Sequence, residues 1–342
     1  MPHHFPSEWA KQSAVLLSWP HADTDWAPTL ERVEQCYQTI VLAIIRFQKV
    51  IIVCHDEKLQ QRVLSFFSDQ DNIGNIQCWV TPTDDTWIRD YGPLSIIKDQ
   101  QAELLDFQFN GWGNKFEASQ DNAVSLRLHH LGVFNSTPIR TLPLILEGGS
   151  IESDGEGTLL TTKHCQMSPE RNPDLTQNEI ESSLKDFFGA QRVLWLTHGQ
   201  LDGDDTDGHI DTLVRFCSPS HLCYVGCDDP SDGHHLEIRR METELKALRS
   251  ASGEPYQLTS LPWPTAKYNQ QGDRLPATYA NCLIINGAVL LPVYNDKKDG
   301  EAITVLQSCF PEREIIPINC LPLIEQFGSL HCITMQLPTG VI

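Results

Sequence analysis

The chain has 342 residues and a mass of 38.6 kDa, with 40% apolar and 20% charged residues, a composition that gives a folded globular protein room for a large core. A net charge of -20 and a pI near 4.9 argue against nucleic acid or an anionic membrane surface as partner and suit a cationic substrate. No stretch approaches the roughly 18 uninterrupted apolar residues of a membrane span, and the opening MPHHFPSEWAKQ lacks the basic-then-apolar pattern of a secretory signal, so a cytoplasmic protein is expected.

In chain order, AVLLSW reads as a strand, TLERVEQCYQTIVLAIIRFQ as a helix and KVIIVCH as a second strand; EKLQQRVLSFFSD and IQCWVTP follow. One unit then recurs: two strands joined by a tight turn, a helix, and a third strand. GPLSIIKDQ and AELLDFQFN, the helical SQDNAVSLRLHHLG and TPIRTLPLIL form the first unit. SIESDGEGTLLTTKHC opens the next with a hairpin turn at DGEG, and its helix TQNEIESSLKDFFG carries a capping box, Thr176 to Glu179, and a stop at Gly189 before RVLWLTHG. DTLVRFCSPSHLCYVG, HHLEIRRMETELKALRS and PYQLTSL repeat the plan, as do YANCLIINGAVLLPVY, a short helix in GEAITVLQSCF, and REIIPIN. HCITMQL at the C-terminus completes a further unit if it pairs with the N-terminal AVLLSW, which would tie down both chain ends.

The polar residues gather at one corner of these units. Asp90 precedes the first hairpin, Glu147 the second, His209 and Asp211 open the third, and Cys332 opens the split unit. If the units ring an axis, two aspartates, a glutamate, a histidine and a cysteine converge there. A cysteine becomes a strong nucleophile once its thiolate forms, and a histidine can manage the protons. Two further anionic acceptors suit a planar cation with forked N–H groups, which a guanidinium is. Trp87 and Trp112 are candidate walls for such a pocket.

The stretches SWPHADTDW, TWIRDYGP, FNGWGNKF, LEGGSIE, TDGHIDTLVRF, ATYANCLIINGAVLLPVYND and GSLHCITMQLP, in order over nearly the whole chain, resemble the agmatine deiminases. These belong to the guanidine-modifying superfamily, with arginine deiminases and bacterial-type peptidylarginine deiminases. The resemblance implies an α/β fold, a fivefold pseudo-symmetric α/β propeller (a pentein) with the active site on its axis, as a single catalytic domain over residues 1–342. It implies Cys332 as nucleophile, His209 as general acid and base, Glu147 as its orienting partner, and Asp90 and Asp211 holding the guanidinium. The family reaction passes through a covalent amidino-cysteine and needs no metal or organic cofactor; a homodimer is the family expectation. On agmatine it would yield N-carbamoylputrescine and ammonia. Asp205, in GDDTDG, stands where some agmatine enzymes carry a glutamate facing the amine end. The glycine run before the closing His-Cys is reduced to Gly328, beside Phe327, Ser329 and Leu330.

Plainer readings stand beside these. A lone Cys332 would more often be a buried strand cysteine, Asp90 a partner for Arg89, Glu147 a turn acid, and Trp112 either core or pocket wall. His331 is read as structural, because neighbours on a strand face opposite ways. DGDDTDG is read as a mobile acidic loop rather than a calcium loop, and Tyr279 and Asn281 as residues at the rim of the fourth unit. The 11 cysteines lie mostly in apolar runs, and Cys223 and Cys227 with His234 and His235 match no standard zinc spacing. The expected function is hydrolysis of a small cationic guanidine, most of all agmatine. Alternatives are a deiminase of free or peptide-terminal arginine, a non-catalytic polyamine or guanidine binder, and a Cys/His peptidase, which the two extra aspartates disfavour.

Overall fold

The computed structural model describes residues 3–342. Five sheets share one plan, an antiparallel pair extended by a parallel third strand. The first joins Leu94–Lys98, Gln101–Gln108 and Ile139–Ile145, with His3–His4 on its edge; the second joins Ile151–Ser153, Thr158–Thr162 and Arg192–Leu196. The third joins Val214–Ser218, His221–Val225 and Gln257–Leu261, and the fourth Leu283–Ile285, Ala288–Val293 and Glu314–Asn319. In each, a helix crosses from the second strand to the third, as parallel neighbours require: Val124–His130, Gln177–Phe188, His235–Ala247 and Asp299–Cys309.

The fifth sheet closes the two ends of the chain on each other. Thr334–Pro338 pairs antiparallel with Gln12–Ser18, Met335 opposite Leu16, and Gln12–Ser18 pairs parallel with Lys49–Cys54 after the helix Leu30–Ile44. The helix Glu57–Phe66 and the strand Ile76–Val80 extend this sheet beyond the shared plan, and a small hairpin, Lys267–Tyr268 with Arg274–Leu275, stands outside it. The strands are apolar on both faces where they are buried; Leu16, Leu17, Val50, Ile51, Ile52 and Val53 have no exposed surface.

The crossover Gln177–Phe188 shows how sequence sets an element. Thr176 Oγ1 accepts from the Glu179 N–H, the Glu179 carboxylate accepts from the Thr176 N–H, and Gly189 ends the helix at φ 65°. Ile180, Leu184 and Phe188 make its buried stripe, each contributing about 1.5–3 kcal/mol.

A second device joins the units. Arg215, fully buried on the third sheet, donates to Glu8 Oε2 at 2.6 Å and to Glu152, and reaches the carbonyls of Ala280 and Cys282. Its guanidinium also lies 3.1 Å from His331 Nε2, so one side chain touches the N-terminal segment, three sheets or their approaches, and the closing turn. The C-terminal strand begins at Thr334, later than expected, and His331 and Cys332 lie in the turn before it. Strand alternation therefore does not separate them. No helix of the described residues is long and apolar enough to cross a membrane.

Candidate active site

Each side chain of the site enters from the start of a sheet. Asp90 sits on the short helix Ile88–Tyr91 before the first, Glu147 just before Gly148–Ser150 and the second, and His209 and Asp211 before the third. Cys332 hangs from the turn before the last strand, held by the Arg89 N–H to its carbonyl at 3.2 Å and by the His331 N–H to Asn281 Oδ1 at 2.9 Å. Pairing and buried hydrogen bonds thus fix a side chain that stands ten residues from the chain's end.

The five expected residues converge. Asp90 Oδ1 is 3.6 Å from His209 Nδ1, and Glu147 Oε2 is 3.9 Å from His209 Nε2. Cys332 Sγ lies 4.0 Å from Asp211 Oδ2 and 3.5 Å from Asn281 Oδ1. Gly149 marks the meeting point: a Cβ there would lie 2.6 Å from His209 Nδ1, 2.8 Å from Asp90 Oδ1 and 3.1 Å from Asp211 Oδ2. Only a residue without a side chain fits between them. Its N–H donates to Asp90 Oδ1 at 2.9 Å.

Beside this cluster is a cavity of about 140 Å³ onto which Cys332 opens. Trp87, Trp112, Phe116 and Phe327 are its aromatic walls, and Asp25, Asp85, Asp90, Asp204 and Asp205 its acids; among the described residues no lysine or arginine lines it. Trp112 is pocket wall and anchor at once, its Nε1–H donating to Asp90 Oδ2 at 3.0 Å. It gets there through four successive left-handed residues, Gly111, Trp112, Gly113 and Asn114, with φ of 65°, 55°, 87° and 61°. A left-handed non-glycine residue costs about 1–2 kcal/mol, so the turn stores strain beside the acid it supports. Phe327 is also left-handed, at φ 64°, where a glycine would be unstrained. Gly328 lies so close to the Trp87 ring that any Cβ would strike it.

The acidic loop is pinned, contrary to the mobile loop expected. Asp204 accepts from the Thr206 and Gly208 N–H groups at 2.9 and 2.6 Å, and Asp207 pairs with Arg171 at 2.7 Å and Lys115 at 2.8 Å. Asp205 is thereby left facing the cavity. Arg89 does not pair with Asp90; it turns to Gln336 Oε1 at 2.6 Å and the His331 carbonyl.

Two contacts were not anticipated. Arg171, itself buried, donates from Nε to both oxygens of Glu147, at 2.8 and 3.0 Å. His331, read from the sequence as structural, bonds from Nδ1 to Asp211 Oδ2 at 2.7 Å and so touches the site from behind. Asn281 also belongs at the site through Cys332, whereas Tyr279 turns to Asp299 at 2.7 Å. Cys223, Cys227, His234 and His235 do not converge: His234 Nδ1 is bonded to Asp232 and His235 Nδ1 to the Cys227 carbonyl. Glu147, Cys165 and His209 offer atoms within 4.8 Å of one another, but Arg171 already supplies Glu147 with a cation, which argues against a metal between them.

Burial, then Asp211 and Asp90, push the Cys332 thiol well above its ordinary value. Burial disfavours a charged His209, but Asp90, Cys165 and Glu147 outweigh it and raise the imidazole well above its ordinary value. Burial also raises Asp90, with Asp211 and Glu147 adding to it against His209. Asp211 goes the other way, because the bond and charge of His331 overcome its burial. His209 Nε2 and Asp211 Oδ1 are buried with no hydrogen-bond partner among the described residues. The cluster is thus rich in carboxylate acceptors, a set whose charge suits a cation.

The sequence model of the Porphyromonas-type peptidyl-arginine deiminase family matches residues 4–338. The chain belongs to this family. Within it, the chain is 32% identical to an agmatine deiminase of Pseudomonas aeruginosa, over 97% of this chain and 95% of that protein. A crystal structure described as a "putative arginine deiminase" from Porphyromonas gingivalis superposes with a TM-score of 0.94 at 49% identity, covering 99% of each chain. A cysteine-to-serine C. jejuni agmatine deiminase with substrate bound superposes with a TM-score of 0.91 at 37% identity, over 99% of this chain and 97% of the other. This member of the deiminase family is an enzyme acting on a guanidino group, with a mixed α/β fold of pentein type.

Proposed function

We propose that the protein is an agmatine deiminase, a single catalytic domain whose five sheets ring an axis with the site on it. The contacts of Arg215 with several units support that arrangement. The observation that carries the substrate is the cavity lining: five aspartates and, among the described residues, no lysine or arginine. Agmatine is cationic at both ends with an apolar middle. Its guanidinium fits between Asp90 and Asp211, its methylenes along Trp87, Trp112 and Phe327, and its ammonium near Asp205. Free or peptide-terminal arginine would bring a carboxylate into that acidic lining without a cation to receive it, at a cost of like-charge repulsion and desolvation.

The reaction follows from the charges. Binding a guanidinium beside Asp90 and Asp211 cancels the negative field that holds Cys332 as a thiol, so the thiol proton passes to solvent as the cation enters. The thiolate forms an S–C bond to the guanidinium carbon. His209, an imidazolium at neutral pH, gives its proton to one nitrogen, and the C–N bond breaks to release ammonia. An amidino-cysteine cation remains between the two aspartates. His209, now neutral, takes a proton from water and the hydroxide adds to the same carbon; as the S–C bond breaks, the added hydroxyl gives its proton to the departing sulfur, which leaves a ureido product and restores the Cys332 thiol. Glu147, fixed by Arg171, stabilises the charged imidazole. N-carbamoylputrescine and ammonia are the products.

A second reading, a deiminase of arginine, is favoured by the name given to the 49% identical P. gingivalis structure. Ammonia release with agmatine, free arginine and a peptide ending in arginine as parallel substrates separates the two. Release from agmatine with a kcat/KM well above the others is expected; preference for either arginine substrate would overturn the agmatine assignment.

A further inference from the structure

Away from the cavity, where the third sheet meets the helix of the fourth, Cys217, His221 and Cys309 bring their ligand atoms within 4.8 Å of one another. A further cysteine lies on the same strand face: His221 and Cys223 are two residues apart on His221–Val225, which puts the buried Cys223 thiol on the side of this three-residue group. We infer that Cys217, His221, Cys223 and Cys309 form a structural zinc site of the Cys3His type that clips the third unit to the fourth.

Several independent features fit such a site. Three sulfurs and one imidazole nitrogen are a standard closed ligand set for tetrahedral zinc. The register of the hairpin slips between Phe216 and Ser218, so Cys217 is an extra residue with no opposite partner, freed from the ladder and turned to the cluster. His221 Nε2 lies 2.8 Å from Thr259 Oγ1. If the metal takes Nδ1, the Nε2–H can donate to that hydroxyl, the kind of outer contact that orients a ligand imidazole. Cys309 ends the 11-residue helix Asp299–Cys309, whose negative dipole end favours a cation. Zinc–sulfur bonds of about 2.3 Å put sulfurs about 3.8 Å apart in a tetrahedron, so the spread below 4.8 Å of the Cys217, His221 and Cys309 ligand atoms closes with side-chain rotations of about an ångström, and Cys223 turns in from the same face. Cys217, His221 and Cys309 are 9%, 9% and 7% exposed, close enough to the surface for an ion to enter.

Binding takes Zn²⁺ from solution, forms three Zn–S bonds and one Zn–N bond, and releases three thiol protons. With a neutral imidazole the closed site carries one negative charge. No electrons move, and the reaction at Cys332 does not use the metal.

The test is metal retention by the full chain. Purified protein, reduced and given Zn²⁺, is dialysed against a weak chelator, and its zinc is counted by mass spectrometry. About one zinc per chain is expected in the native protein and in Cys332→Ser, falling at least about tenfold in Cys309→Ser and in Cys217→Ser. In case those variants fold poorly, the native protein is also titrated with Co²⁺, where an intense thiolate-to-cobalt charge-transfer band with tetrahedral visible bands is expected. Native protein that retains no zinc and gives no such band would overturn the site. So would zinc that survives Cys309→Ser but leaves on His21→Ala, which would place it at the partly exposed His21, Asp23 and His55 group instead. A Cys217–Cys309 disulfide in protein purified without reductant, with no zinc bound under reducing conditions, would replace the metal with a redox pair.

Discussion

Two buried charge clusters stand back to back in this molecule, joined through His331, whose Nδ1 bonds Asp211 and whose Nε2 bonds Glu8. Around Arg215, donors and acceptors are matched: the guanidinium meets two carboxylates and two carbonyls, Glu8 receives a further N–H from Ile284 at 2.7 Å, and Glu152, raised by its burial against the pull of Arg215, is the less acidic of the two. Burial works against an ionised Glu8, yet Arg215 and His331 more than offset it and hold its carboxyl well below the usual range. On the other side of His331 the matching stops. Asp90 is pushed up, Cys332 is pushed up, and an oxygen of Asp211 and a nitrogen of His209 are left without hydrogen-bond partners among the described residues. Similar residue types thus do opposite work. A compensated cluster holds sheets together, whereas an uncompensated one reserves its acceptors for a ligand.

The comparison breaks most visibly at Cys332. Cys332→Ser should lower turnover by about 10⁴-fold or more, on the scale lost when a covalent nucleophile is removed, while thermal unfolding stays close to that of the native protein. Turnover within tenfold of native would remove the nucleophile. Next come the acceptors. Asp211→Asn and Asp90→Asn should each cost about 2–5 kcal/mol of transition-state binding, or roughly 30- to 4,000-fold in kcat/KM. Kinetics near native in either variant would show that its charge is not part of the guanidinium clamp.

The matched cluster should fail in another way. Arg215→Met leaves Glu8 and Glu152 buried without their cation and should destabilise the fold by about 3–5 kcal/mol. Urea unfolding reads this as a lower midpoint, and an unchanged midpoint would mean that the hub is not what joins the units. The smallest effect is a matter of pH. Because burial and the two aspartates raise Cys332, its thiolate appears only above the ordinary thiol value of about 8.5. Alkylation of the empty enzyme at Cys332 by neutral iodoacetamide should therefore be slow at pH 7 and climb steadily to pH 9 and beyond. A rate already level across that range would show a thiolate before substrate binds.

Much of this was legible in the sequence, because the signals were local or repeated. Hairpin turns at DGEG and Asn286-Gly287, the capping box at Thr176 and the apolar strands recur at similar intervals, and the acids fall at the same corner of each repeat. Even the pairing of the two chain ends follows from completing the repeat. What stayed hidden depends on three-dimensional approach. Arg171 lies in a loop without periodicity, 24 residues from the Glu147 it binds. His331 contacts Asp211 because the backbone turns where an apolar, strand-like sequence led us to expect alternation. Trp112 reaches Asp90 through consecutive left-handed residues, which the glycines of NGWGN permit but do not specify. The thiols of Cys217 and Cys309 belong to different repeats, so no spacing pattern could pair them.

In the proposed reaction the bound cation releases the Cys332 thiol into attack on its own carbon. The most direct measurement is mass spectrometry of native enzyme quenched in acid during turnover of agmatine. An adduct on Cys332 equal in mass to agmatine less ammonia, absent from Cys332→Ser and decaying as substrate is exhausted, is the predicted result. Steady turnover with no adduct at any quench time, or an adduct on another cysteine such as Cys165, would contradict it.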